Sequence, residues 1–182
     1  LEAWFENGSY RAKKTYTNGE LDGLEELWHP NGQLRSSAVY KLGALEGKAT
    51  EWHENGKPKI MAVFKAGKPV SSLKHWHANG QLAKEVNFGA PGVEEGKELL
   101  WYSDGAKKSE AFYKGGNLEG FVAEWYPAGK KKSNISFRGG KQHGKATEWH
   151  LNGEKKTEAI FRDGKEHGLQ LAWYDNGQQR AE

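Results

Sequence analysis

The chain has 182 residues, with 27 Lys and Arg against 24 Asp and Glu, a formal net charge of +3. Leu, Ile, Val and Phe are under a fifth of the residues, but the small net charge excludes the highly charged composition of a disordered chain, and Lys and Arg spread through the whole length give no nucleic-acid footprint. The absence of cysteine excludes disulfides and thiolate metal sites, and no apolar run is long enough for a membrane-spanning helix.

The tryptophans organise the chain. All eight, Trp4, Trp28, Trp52, Trp76, Trp101, Trp125, Trp149 and Trp173, recur at intervals of 24 residues, once 25. A fixed period of this length marks a repeat array whose units bury a core only by stacking on their neighbours. In chain order the first half of each repeat reads WFENG (4–8), WHPNG (28–32), WHENG (52–56), WHANG (76–80), WYSDG (101–105), WYPAG (125–129), WHLNG (149–153) and WYDNG (173–177). The second half carries an aromatic eight residues after that Gly: Tyr16, Tyr40, Phe64, Phe88, Tyr113, Phe137 and Phe161. A glycine-framed turn follows, from NGELDG (18–23) to DGKEHG (163–168). The turn at Ala90–Gly96 has one extra residue, Ser71 replaces a closing Gly, and Asp104 and Ala128 replace the turn Asn. The predicted core rests on aromatic rings rather than aliphatic side chains.

Two hairpins fit W-x-x-N-G. A two-residue Asn-Gly loop would oppose Trp28 and Arg35. A three-residue loop, with a type I turn followed by Gly at positive φ, would pair His29 with Gln33 and Trp28 with Leu34. Pro30 and Pro127 select the second, because they fall at the turn position that suits proline best. Counted from the turn Gly, positions 4, 6 and 8 are then expected on the Trp face. Position 3, basic in seven of eight repeats, is expected on the opposite face, giving the cross-strand pairs Glu51–Lys59, Glu124–Lys132 and Glu148–Lys156. The expected fold is all-β: an elongated, twisted antiparallel meander of about eight β-hairpin repeats, forming a single array over residues 1–182 with essentially no helix. Open strand edges at its ends would allow pairing between chains.

The chemistry-bearing residues have repeat-based explanations. His29, His53, His77 and His150 each follow a Trp, and equivalent residues two strands apart lie ~9–10 Å from each other, too far to share one metal at His–metal distances near 2 Å. His143 and His167 are equivalent turn positions. Asp and Glu recur as surface pairs, Ser lacks a nucleophile elbow, and no glycine pair has phosphate-loop spacing. Lys130, Lys131 and Lys132 open a strand, so no nucleic acid is expected as partner. No catalytic residue, metal or cofactor follows from the sequence. The Trp column reads as packing, with a ligand platform for sugars or choline as the alternative.

The pattern W-[YFH]-x-N-G, then an aromatic, then G-x-x-x-G resembles the MORN repeat variant of many bacterial proteins. The resemblance implies a non-catalytic protein-binding module, of the antitoxin or immunity type with a toxin as partner. The alternative it implies is an envelope-associated scaffold that contacts lipid or protein. The compartment stays open between bacterial cytoplasm and, if a signal has been removed, periplasm or envelope. One surface invites a protein partner: the Tyr/His stripe after each Trp, beside the basic column. Its candidate residues are Tyr102, Tyr126, Lys108, Lys132, His77 and His150, since Tyr anchors interfaces and Lys steers acidic partners. The alternative for the stripe is cross-strand packing that shields the turns.

Overall fold

All eight W-x-x-N-G segments fold into the same reverse turn. In the computed structural model, which describes residues 1–180, the turn Gly donates its N–H to the carbonyl three residues back. Gly32 to His29 (2.9 Å) and Gly129 to Tyr126 (2.8 Å) are examples. The residue after each Trp closes the hairpin from the other side, as His29 N–H does to the Gln33 carbonyl at 2.8 Å. The turn is thus the three-residue loop that Pro30 and Pro127 imply, and Trp28 pairs with Leu34. Where Asn occupies the turn, its Oδ1 accepts the backbone N–H two residues on, and Asp104 does the same toward Ala106 at 2.9 Å. Ala128 has no such group, yet its turn keeps both backbone bonds.

Among the described residues there are strands and no helix. The first compact unit, Leu1–Val93, contains β1 (Glu2–Trp4), β2 (Tyr10–Thr17), β3 (Glu20–Trp28), β4 (Leu34–Lys41), β5 (Ala44–Trp52), β6 (Pro58–Lys65), β7 (Lys68–Trp76) and β8 (Leu82–Ala90). Each pairs antiparallel with the next. The second unit begins at Glu94. It contains most of β9 (Val93–Trp101), then β10 (Lys107–Lys114), β11 (Asn117–Leu118), β12 (Gly120–Trp125), β13 (Lys131–Arg138), β14 (Lys141–Trp149), β15 (Lys155–Arg162), β16 (Lys165–Glu166) and β17 (Leu171–Ala172). The meander continues there, with β11 and β12 sharing β10 as partner and β16 and β17 sharing β15. The extra residue of the fourth repeat lengthens β8 to nine residues where β4 and β6 have eight.

A β-bulge beside each Trp alters the expected faces. Trp52 pairs with Pro58 and Glu51 with Ile60, so Lys59 is the extra residue. The same shift occurs at Leu27/Trp28, Glu124/Trp125 and Glu148/Trp149. One inserted residue inverts the alternation of everything beyond it. Positions 6 and 8 after the turn Gly therefore align with residues an odd number before the Trp, as Ala62 does with Ala49 and Phe64 with Gly47. The Tyr/Phe column thus lies on the face opposite the indoles, not beside them. The predicted ion pairs nonetheless form, at 3.3 Å for Lys59–Glu51, 2.8 Å for Lys132–Glu124 and 3.2 Å for Lys156–Glu148, because the bulged Lys still reaches across.

The second turn of each repeat is tighter than its glycine frame suggests. Thr17 pairs with Glu20 around Asn18 and Gly19, both at positive φ, a two-residue loop whose twist matches the flanking strands. The closing glycine instead sits inside the next strand at a second irregularity, and Ser71 adopts the same left-handed backbone there, at φ 64°.

The buried apolar core is a row of small side chains. Ala38, Ala62, Val86, Ala111 and Ala159 all stand six residues after a turn Gly, joined by Ala12. Most of the indoles are only half-buried, and ring contacts join Trp4, Tyr10 and Trp28 at centroid distances of 5.6 Å. Such pairs contribute about 0.5–1.5 kcal/mol beyond area burial.

Two stability outcomes follow. Leu42 holds φ 50° in its two-residue loop while 71% exposed, so it carries left-handed strain with little packing in return. Leu42→Asn, the residue that Asn18 places at the equivalent site, should raise stability by about 1 kcal/mol, read as a higher urea midpoint at unchanged slope. Trp76→Ala should destabilise more than Trp4→Ala in the same melts, because Trp4 is 52% exposed and Trp76 is flanked by repeats on both sides; equal losses would contradict nearest-neighbour stacking.

Candidate functional site

The inverted alternation brings the aromatic column and the basic column into common grooves. In the first unit Tyr40 and Phe64 form the floor with Leu45, Ile60 and Leu73. Arg35, Lys59, His29, His53 and His75 complete an open groove of about 680 Å³. In the second unit Tyr102, Lys108, Lys132, Tyr113 and Phe137 surround a groove of about 260 Å³. Tyr126, Lys132, Phe137, Glu148 and Lys156 surround another of about 360 Å³. The structure therefore gathers Tyr102, Lys108 and Lys132 in one groove, and Tyr126 and Lys132 in the next. His150 lies apart, beside Leu151, Asn152 and Asp175 at a turn. His77 is half-buried at the corresponding position of the first unit. The stripe does not face away from the aromatic column, as strict alternation would require. It forms the rim of the same concavity.

In five repeats the residue after the Trp has a second task. The Tyr102 hydroxyl donates to the Trp125 carbonyl at 2.7 Å, and the Tyr126 hydroxyl to the Trp149 carbonyl at 2.8 Å. His29, His53 and His150 reach the carbonyls of Trp52, Trp76 and Trp173 through Nε2 at 3.1, 2.9 and 3.0 Å. A carbonyl only accepts, so Nε2 carries the proton in each. Tyr and His alternate at this position because each projects a donor to the same point one repeat away. Their polar ends are thus engaged in the fold, and their ring faces are what the grooves offer.

Turn side chains add further links. Asn31 Nδ2 donates to the Glu54 carbonyl at 2.8 Å and Asn55 Nδ2 to the Ala78 carbonyl at 2.7 Å. Lys57 Nζ also reaches the Asn79 carbonyl at 2.6 Å, and beside Ala128 the equivalent Lys130 Nζ reaches the Asn152 carbonyl at 2.7 Å. On the other side of the sheet Glu46, Glu95 and Glu119 accept the N–H groups of Ala66, Gly115 and Gly139 at 2.7–2.9 Å.

Charge in the grooves is mostly paired. Glu25 is buried and takes Lys14 at 2.6 Å; that hydrogen bond holds the Lys14 ammonium above its ordinary pKa. Burial, with Glu25 close by, pushes the Tyr40 phenol up. The bond to Glu124 raises Lys132. Lys108 Nζ lies 5.7 Å from the centre of the Tyr102 ring, within cation–π range. Rings, short aliphatics and ammonium groups bind by burial and charge. What sequence reasoning missed was the groove floor, Leu45, Ile60 and Leu73; the bulge hides their alignment with Tyr40 and Phe64.

Two substitutions separate these tasks. Tyr102→Phe keeps the ring and strands the half-buried Trp125 carbonyl, and should cost about 1 kcal/mol. Tyr102→His restores a donor and should recover most of that loss in the same chemical melts. Burial, then the Lys84 ammonium, lowers the His75 imidazole below its ordinary 6.5, with Lys59 acting in the same sense and Glu51 opposing. The folded imidazole resists a proton that the unfolded one accepts, so stability should fall as pH drops below about 6.5 and stay flat above it. His75→Gln should remove that component from a pH series of melting temperatures.

Residues 21–42, 45–66 and 72–89 match the family described as MORN repeat variant. No curated protein matches the chain. The three matched stretches hold the turns after Trp28, Trp52 and Trp76, and the same hydrogen-bonded turn recurs after every other Trp. The chain carries repeats of the MORN repeat variant family.

Proposed function

We propose that the chain is a non-catalytic protein-binding module that uses the grooves of its second unit, around Tyr102, Tyr126, Lys108 and Lys132, with His150 as a further contact of that unit and His77 as a separate contact on the first. One observation carries this reading: Tyr102, Lys108, Lys132 and Phe137 converge on one concave surface. Aromatic rings in a recess anchor interfaces, and neighbouring ammonium groups steer an acidic partner. We further propose that this partner is a bacterial toxin, which the chain neutralises as an antitoxin or immunity protein.

The test leaves the two tyrosines in place, because their hydroxyls link repeats. Lys108→Glu with Lys132→Glu should weaken capture of the natural partner at least tenfold, while the melting temperature stays within a few degrees of the parent. Unchanged affinity in the folded double variant rejects this surface. A captured partner without toxicity in the source cell rejects the antitoxin role.

A further inference from the structure

The second unit also carries a row that joins indoles to ammonium groups. Trp101, Trp125, Trp149 and Trp173 alternate there with Lys107, Lys131 and Lys155, each the residue that follows the turn Gly by two. Lys107 pairs with Trp101, Lys131 with Trp125 and Lys155 with Trp149 across their hairpins. Each ammonium also lies over the next indole: Lys107 over Trp125 at 5.2 Å, Lys131 over Trp149 at 5.8 Å and Lys155 over Trp173 at 5.5 Å. In the first unit the same positions hold Tyr10, Leu34, Pro58 and Leu82. The lysines are thus a property of this unit, not of the repeat.

The row keeps an excess of positive charge. Glu110 is bracketed by Lys97 at 2.9 Å and Lys107 at 2.8 Å, and Glu158 by Lys145 at 2.9 Å and Lys155 at 2.7 Å. In the repeat between them the corresponding position is Asn134, and Lys131 has no carboxylate in ion-pair range among the described residues. Phe121 stands at the position that Lys97 and Lys145 hold in the adjoining repeats, and it is 60% exposed.

We propose that this Trp–Lys row binds a linear acidic polysaccharide built of uronic-acid disaccharides. Equivalent groups recur every two strands, ~9–10 Å, which matches a chain that presents one carboxylate per two pyranose rings. The apolar face of a sugar ring can lie on a half-exposed indole while its carboxylate meets the intervening ammonium. Phosphates of a nucleic-acid strand lie closer together, ~3.4 Å apart along a duplex strand, and do not fit that period. Trp125 and Trp149 also line the protein-binding grooves, whereas Lys107, Lys131 and Lys155 do not, so these lysines distinguish the row from the grooves.

The experiment is affinity electrophoresis of the whole chain through gels containing hyaluronate, whose disaccharide repeat carries one carboxylate, with neutral dextran as reference. Retardation by hyaluronate and none by dextran is expected. Lys107→Gln, Lys131→Gln and Lys155→Gln together should weaken binding at least tenfold, and Lys131→Gln alone at least threefold, with thermal melts confirming the fold. A charge-matched variant in the first unit, Lys41→Gln with Lys48→Gln and Lys65→Gln, should bind as the parent does. Absence of retardation overturns the proposal. So does equal loss in the two triple variants, which would mean net charge alone, or tighter binding to a single-stranded oligonucleotide than to hyaluronate.

Discussion

The hydrogen bond from one repeat to the backbone of the next is the interaction on which the rest of the structure depends. A carbonyl at a hairpin end has no ladder partner, and a half-buried polar group without a partner is costly. In the first unit His29 and His53 supply the donor to the following Trp carbonyl, and in the second Tyr102, Tyr126 and His150 do so. The period is constrained by this reach: the donor and its carbonyl are 23 residues apart in each case. Backbone links on the other side, such as Gly43 to the Leu21 carbonyl and Gly67 to the Leu45 carbonyl, both at 2.9 Å, repeat with a similar offset. Each repeat is therefore tied at both ends of its strands, and the thin row of buried alanines between those ends needs to supply less.

That division explains why so few large side chains are buried. A sheet whose central residues are Ala and Val gains little from area alone. Its stability comes from many modest terms: ladder bonds, turn bonds, ring contacts and exposed ion pairs that each contribute under about 1 kcal/mol. Such a sheet tolerates exchange at single sites as long as the hydrogen-bonding function survives. Tyr for His after the Trp is one instance. Ser71 in a left-handed position is another.

The turns were legible in the sequence because proline and glycine act locally. Pro30 and Pro127 have one comfortable place in a three-residue loop, and the observed pairing of Trp28 with Leu34 follows. The faces were not legible, because they depend on a bulge that inserts one residue between two correctly placed pairs. Nothing in Lys59 marks it as the extra residue: it still meets Glu51, as simple alternation also requires. The error appears only downstream, where Phe64 aligns with Gly47 and so leaves the Trp face. The role of the residue after each Trp was hidden for a different reason. Its partner is a main-chain carbonyl one repeat away, which leaves no side-chain signal beyond the interchange of Tyr and His.

The same inversion gives the sheet two chemically distinct faces. On one, rings and the basic column share grooves, and their charges are largely neutralised by Glu51, Glu124 and Glu148. On the other, the residue two after the turn Gly pairs with a Trp across its hairpin, and Tyr10, Lys107, Lys131 and Lys155 also meet the next indole. Its chemistry varies, running through Tyr10, Leu34, Pro58 and Leu82 and then Lys107, Lys131 and Lys155. Where the residue after the Trp links to the backbone of the next repeat it is His or Tyr, a donor, whereas this one varies from proline to lysine without disturbing the turn beside it. A repeat protein can acquire a new surface most readily at such a position, and in this chain it is where the two units differ most in charge.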